Sequence, residues 1–178
     1  GAFEVQDEGS QLLGELLDVK PGDEVLDLCA GAGGKSLQLA ALGATVHATD
    51  IDLAKLDRLR TRAAKANARV LIHGARPPEA LRVSRLLIDA PCSELGTLRR
   101  GPDLRWRIRE AAVLENARVQ QQLIGLALPH LAPGGRLVYA TCTLTPEENE
   151  GIVAFALEHH PRLRLEQTLE LTPHRDDT

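Results

Sequence analysis

The sequence has 178 residues, 43% hydrophobic and 26% charged, with a formal net charge of −4. That length suits one globular domain with a sizeable core, and no run reaches the roughly 18 apolar residues that a membrane-spanning helix needs. Three cysteines, Cys29, Cys92 and Cys142, are too few and too oddly numbered for a disulfide framework and point to a reducing compartment.

The opening stretch from Gly1 to Ser10 is polar and unlike a secretory leader, so the expected location is the cytoplasm. With aromatics at 2%, the core must be built from Leu, Val, Ile and Ala. Methionine is absent, from which the chain is expected to start inside a longer protein or after processing.

Apolar residues at helical spacing predict a helix over Gln6 to Leu17, stopped by Pro21-Gly22. A short buried strand follows over Glu24 to Leu28, then a small-residue loop and a helix from Lys35 to Leu42. Further strands are predicted at Thr45 to Thr49, Arg69 to Ile72, Leu86 to Ile88 and Arg136 to Thr141, with a sixth at Leu163 to Glu166. A charged helix spans Leu53 to Asn67, and a long one spans Arg109 to Leu131, stopped by Pro133-Gly134-Gly135. Residues 90–108 lack periodicity and read as a long loop. Pro146 and the acids after it suit the start of a helix running to His159. Alternating strands and helices imply an α/β fold, a mostly parallel sheet covered on both faces. Ligands in such folds bind at the carboxyl ends of the strands, where Cys29, Asp50, Asp89, Cys92 and Cys142 fall.

The turn Asp27-Leu28-Cys29-Ala30-Gly31-Ala32-Gly33-Gly34 invites three readings. A phosphate-binding loop would need glycine where Cys29 stands, although Gly34-Lys35-Ser36 supplies its end. A nicotinamide loop would need its third glycine where Ser36 stands. S-adenosylmethionine needs backbone donors beside the loop and an acid for its ribose at the end of the second strand, which is Asp50. This pair alone does not separate adenosylmethionine from a dinucleotide.

Cytosine carbon 5 is a poor nucleophile, and a thiolate that adds to carbon 6 activates it. Such a thiol must be partly ionised, and an acid near the ring helps the addition. Asp89-Ala90-Pro91-Cys92-Ser93 and Thr141-Cys142-Thr143 carry these groups. With Phe3 to Asp7, Ser10-Gln11, Val25 to Ala30, Gly33 to Lys35, Gly96, Pro102-Asp103, Gln121, Gly134 to Tyr139 and Glu147-Glu148-Asn149-Glu150, the chain resembles the NOL/NOP/Sun family of RNA (cytosine-5)-methyltransferases along nearly its whole length.

The resemblance implies a Rossmann-like class I S-adenosylmethionine-dependent methyltransferase. It implies that 1–178 is a single catalytic domain lacking both the RNA-binding domain that often precedes it and the last strand of the fold. Cys142 would be the nucleophile and Cys92 the cysteine needed for product release. Asp89 would contact base and cofactor. Residues Cys29, Ala30, Gly31, Ala32, Gly33, Gly34 and Lys35, with Asp50, would form the cofactor pocket. The expected partner is RNA, ribosomal RNA first and transfer RNA second, with no membrane and no obligate protein partner. Two departures stand out: Gly31-Ala32 replaces the family's Ala-Pro, and Gly74-Ala75 stands where a Gly-Asp supplies the acid for the adenine amino group.

The loop from Gly96 to Arg109 supplies a basic face, with Arg99, Arg100, Arg105, Arg107 and Arg109 against Asp103. Trp106 stacks on a base or anchors the loop, with anchoring preferred. Cys29 reads as core packing and His47 as strand packing; His73 reads as surface. Lys55, Arg58, Arg60, Arg62 and Lys65 read as a solvated helix face. The cysteines lack zinc-site spacing. A catalytically silent RNA-binding module, and a small-molecule methyltransferase or dehydrogenase on the same fold, are the competing classes.

Overall fold

The computed structural model describes residues 5–98 and 101–171. The chain divides into two compact units, Gly1–Asp89 with Ala127–Tyr139, and Ala90–Leu126 with Ala140–Thr178.

The first unit is built on five strands: β1 (Glu24–Asp27), β2 (Thr45–Ala48), β3 (Val70–Ile72), β4 (Val83–Asp89) and β5 (Leu131–Ala140). Their order is β3-β2-β1-β4-β5, and β1 runs parallel to both β2 and β4, as β2 does to β3. The chain therefore winds outward on one side of β1 and then on the other. The switch lies between β1 and β4, the place where such sheets open a ligand crevice at their carboxyl ends.

Three helices belong to this unit: α1 (Glu8–Leu16), α2 (Gly34–Ala41) and α3 (Leu53–Ala66). Asp7 caps α1 by accepting from the Ser10 N–H at 3.3 Å. Asp52 caps α3 by accepting from the N–H groups of Ala54 and Lys55, and Asn67 closes it in the left-handed region at φ 52°. Leu17, Val25, Leu39, Ala44, Val46 and Leu87 form one buried cluster; Leu37, Ala48, Leu56, Leu59 and Ala63 join Ala30 in another. Val25 pairs with Val46, and Val46 with Val70, so one β-branched row crosses three strands.

The second unit carries α4 (Leu104–Arg107), most of α5 (Glu110–Ala127) and α6 (Glu150–His159). Ala117, Gln120, Ile124 and Ala127 are the buried face of α5, at helical spacing with one polar member.

Several boundaries differ from the sequence reading. Strand β4 starts at Val83, three residues early, because its polar positions are satisfied: Ser84 Oγ donates to Asp23 at 3.0 Å, and the Arg85 guanidinium donates to the Asp18 carbonyl. Residues 90–108 are not wholly loop; they hold a 3-10 turn at Leu95–Thr97 and α4. Helix α5 ends at Ala127, and a 3-10 turn leads into β5 at Leu131. Gly135 is therefore no helix stop but a close approach, since a Cβ there would meet the Ser84 carbonyl at 2.9 Å. Pro146–Glu148 forms a 3-10 turn before α6, and Leu163 to Glu166 has no strand.

Candidate active site

In the first unit, the loop after β1 is pinned to its neighbours before it turns. The Ala30 N–H donates to the Thr49 carbonyl at 2.9 Å, and the Gly31 N–H donates to Asp50 Oδ2 at 2.8 Å. The other carboxylate oxygen of Asp50 accepts from the Asp52 N–H at 2.8 Å. Asp50 thus braces the loop from the end of β2. Gly33 has φ +87°, and a Cβ on it would lie 2.0 Å from Leu59 Cδ1, so only glycine allows α2 to start there against α3. Arg62 of α3 donates to the Ala32 carbonyl; it is half-buried and is not part of a solvated face, as its spacing suggested.

Lys35, on the first turn of α2, forms an ion pair with Asp89 at 2.6 Å, where β4 ends. Beneath them Asp27 is buried, with Ser36 Oγ donating to its Oδ2 at 2.6 Å and no hydrogen-bond partner on its Oδ1. Burial pushes the Asp27 carboxyl up to about 7, against the Ser36 hydrogen bond and with help from the Asp89 charge. Cys29 is half-buried, and burial, with Asp27, Asp50 and Asp89 nearby, pushes its thiol up to about 12. It stays protonated and unreactive at neutral pH. The Asp50 N–H donates to the Gly74 carbonyl at 3.0 Å, so Ala75 does follow the strand beside Asp50; it is exposed and offers no acid.

In the second unit, the Ala90 N–H donates to the Ala140 carbonyl at 2.8 Å. Two residues further along each segment stand Cys92 and Cys142. Their sulfurs are 3.3 Å apart, neither in a disulfide, and the Cys142 N–H donates to Cys92 Sγ at 3.3 Å. The Cys142 thiol lowers the Cys92 pKa, with further help from the N–H groups of Glu94 and Cys142; burial and the Glu148 charge oppose this without reversing it. Gly96 donates its N–H to the Cys142 carbonyl at 3.0 Å, and a Cβ there would touch the same oxygen at 3.0 Å.

Sequence reasoning missed the polar network next to these thiols. Glu148 is fully buried. Its Oε1 accepts from the Ser93 N–H at 2.9 Å and from Gln120 Nε2 at 3.0 Å; its Oε2 accepts from the hydroxyls of Ser93 and of Thr145, the latter at 2.9 Å. Gln120, not the neighbouring Gln121, supplies this amide. An acid three residues after a threonine and two after a proline reads as a helix start, which hid its inward role; the one signal was a Glu-Glu-Asn-Glu run placed soon after a strand-end cysteine.

The basic loop is more open than expected. Arg99 and Arg100 lie outside the described residues. Trp106 is 82% exposed and so does not anchor the loop, and the Arg105 guanidinium sits 5.5 Å from its ring centroid. A cavity of about 150 Å³ lined by Leu98, Pro102 and Arg105 lies in the same segment. Arg109 pairs with Glu115 at 3.5 Å. His47 is buried on β2, as strand packing predicts, with its ring held by Glu24 at 2.6 Å and His73 at 2.8 Å. No helix among the described residues is long and apolar enough to cross a membrane.

The family model for 16S rRNA methyltransferase RsmB/F matches residues 15–176. The chain belongs to this family. Ribosomal RNA small subunit methyltransferase B of Yersinia pseudotuberculosis serotype O:1b is 38% identical to this RsmB/F chain over 176 residues, which covers 94% of the chain and 41% of that relative. The chain thus spans about two fifths of the length of the curated relatives it matches. Among solved structures, NSun6 from Pyrococcus horikoshii with SFG superposes with TM-score 0.84 at 28% identity, covering 99% of this chain and 50% of that one. A methyltransferase homolog protein from Pyrococcus horikoshii gives TM-score 0.75 at 30% identity, covering 87% and 51%. The RsmB/F chain has the class I S-adenosylmethionine-dependent methyltransferase fold that the sequence resemblance implied.

Proposed function

We propose that this chain transfers a methyl group from S-adenosylmethionine to carbon 5 of a cytosine in RNA, through a covalent bond between Cys142 and the base. The observation that carries the reading is the pair of thiols in contact at the ends of two adjacent segments, with Cys92 as hydrogen-bond acceptor. Residues 1–178 act in it as one catalytic domain. Ribosomal RNA is the substrate that family membership favours, with transfer RNA as the alternative, and the cytoplasm is where the enzyme meets it.

The loop residues fit S-adenosylmethionine. A Cβ built on Gly31 or Gly34 meets nothing within 4 Å, so there is space over the loop. Asp27 keeps an unpartnered buried oxygen, and Asp50 and Asp89 add acceptors for an ammonium group and ribose hydroxyls. Cys29, Ala30, Ala32, Gly33 and Lys35 complete the pocket. NSun6 was solved with SFG, an analogue of this cofactor, which supports the choice. When bound, S-adenosylmethionine supplies an electrophilic methyl on its sulfonium.

Cys142 Sγ, as thiolate, would form a bond to cytosine carbon 6, and the ring electrons gathered at carbon 5 would take the methyl, the methyl–sulfur bond breaking with its electron pair left on the cofactor's sulfur. Asp89 holds the ring during this addition. Cys92 then accepts the carbon 5 proton; the electrons of that C–H bond restore the ring double bond and expel the Cys142 thiolate. Arg105 and Trp106, with Arg99 and Arg100, hold the RNA strand: guanidinium groups on phosphates, and the exposed indole on a base.

One observation favours a second reading. The hydrogen bonds stabilise a thiolate at Cys92, the state a nucleophile needs, which would exchange the two roles. Single alanine variants separate them: the variant that forms no RNA adduct has lost the nucleophile. For the reaction itself, nucleoside analysis of RNA incubated with the protein and labelled cofactor is expected to find 5-methylcytosine. A label on any other atom would overturn the proposal.

A further inference from the structure

The buried carboxylate of Glu148 does more than stabilise the start of α6. Among the described residues it accepts hydrogen bonds from three separate segments: from the N–H and hydroxyl of Ser93, from Gln120 on α5 and from Thr145. Ser93 directly follows Cys92. Thr143 directly follows Cys142, and its hydroxyl lies 2.6 Å from Ser93 Oγ. Gln120 uses its other N–H on the Pro91 carbonyl, at 2.9 Å, just before Cys92. Next along the chain, Asn149 donates to the carbonyls of Thr143 and Thr145 at 3.1 Å each and accepts from Thr141 Oγ1 at 2.6 Å. Both cysteines are thus flanked on each side by groups that end on Glu148 or Asn149.

The polarity of this network is set by chemistry. A carboxylate only accepts, so Ser93 must spend its single hydroxyl proton on Glu148. Ser93 Oγ is then left to accept from Thr143, and the chain runs Thr143 to Ser93 to Glu148 in one direction. A glutamine at 148 would put an N–H against Ser93 Oγ and reverse that chain, with almost no change in volume. Among buried polar groups such satisfied networks fix one arrangement in preference to its neighbours.

We propose that Glu148 is a positioning residue for product release: through Ser93 and Thr143 it holds Cys92 against Cys142, so that Cys92 can act on the base while Cys142 is bonded to it. The inference rests on the cysteine roles proposed above. It concerns a fully buried residue, and it assigns to the acidic run after Cys142 a purpose that a helix start does not require.

The test uses the full chain, a cytosine-containing RNA and S-adenosylmethionine, with turnover and a denaturing gel read together. Glu148→Gln is expected to keep the KM for the cofactor, to lower kcat by roughly 10- to 100-fold as a small misplacement of reacting groups does, and to accumulate the protein–RNA adduct. A role confined to stability would lower the melting temperature without moving the adduct fraction. Wild-type turnover, or slow turnover without extra adduct, overturns the inference. If Glu148→Gln does not fold, Ser93→Ala carries the same expectation, since it deletes the hydroxyl link and keeps the Ser93 N–H bond. Cys92→Ala runs alongside: if it gives no adduct, the assignment of the cysteines has failed and this inference falls with it; if it gives adduct while the Glu148 and Ser93 variants behave as wild type, the inference alone fails.

Discussion

Cys92 and Cys142 are in sulfur–sulfur contact at 3.3 Å, although 50 residues separate them in sequence. Two thiols this close need to approach to only about 2.05 Å to form a disulfide. Treatment with diamide, which takes up the two hydrogens as the sulfurs join, is therefore expected to link them internally and to stop methyl transfer. Dithiothreitol should reverse both effects. Peptide mapping checks this: Cys29, with its thiol pushed up to about 12, should remain unmodified. A Cys29-containing disulfide would contradict the described geometry.

Asp27 predicts a pH dependence of stability. Its folded value of about 7 lies above its ordinary 3.8, so the folded chain binds the proton more tightly than the unfolded one. The stability it contributes is fully present below about pH 4 and is lost as pH rises to about 7. Asp27→Asn removes that loss. Thermal melts without cofactor should show the variant gaining on the parent between pH 4 and 8, by on the order of a few kcal/mol at most. A constant difference across that range would mean that Asp27 does not titrate there.

Asp50 should matter to cofactor affinity through the loop as well as through any contact of its own. Its two oxygens hold Gly31 and Asp52. Asp50→Ala frees both N–H groups, and the lost bonds are worth about 1–3 kcal/mol together. Calorimetry with S-adenosylmethionine is expected to show binding weaker by at least about fivefold. Unchanged affinity would remove Asp50 from the pocket.

Trp106 is exposed and paired only lightly with Arg105, so Trp106→Ala should leave the melting temperature unchanged. If the indole stacks on a base, single-stranded RNA affinity should fall by about 1–3 kcal/mol. Arg105→Ala should instead weaken binding mainly through the salt dependence. Equal RNA affinity for Trp106→Ala and the parent chain would make the indole a bystander.

Much of this arrangement can be read along the chain, and the exceptions have physical causes. The sheet strands announce themselves as short apolar runs closed by Gly, Asp or Cys, and Val25, Val46 and Val70 do form one row. The start of β4 is concealed because Ser84 and Arg85 find polar partners in Asp23 and Asp18, which breaks the apolar pattern. Leu163 to Glu166 has strand-like residues, but propensity alone did not produce a strand there. Cys92 and Cys142 stand out by motif, whereas their contact depends on which two segments lie side by side. Glu148 and Arg62 are concealed in the sequence for the same reason: a charged residue at a helix start or on a charged helix face normally meets water, and only the fold shows what it meets instead.

The central claim concerns which sulfur bonds to the base. Cys142→Ala and Cys92→Ala, each incubated with cytosine-containing RNA and S-adenosylmethionine and resolved on a denaturing gel, test it most directly. The proposal predicts no methylation and no adduct with Cys142→Ala, and a persistent protein–RNA adduct with Cys92→Ala. Normal methylation by Cys142→Ala, or an adduct that forms with Cys142→Ala and is lost with Cys92→Ala, would contradict it.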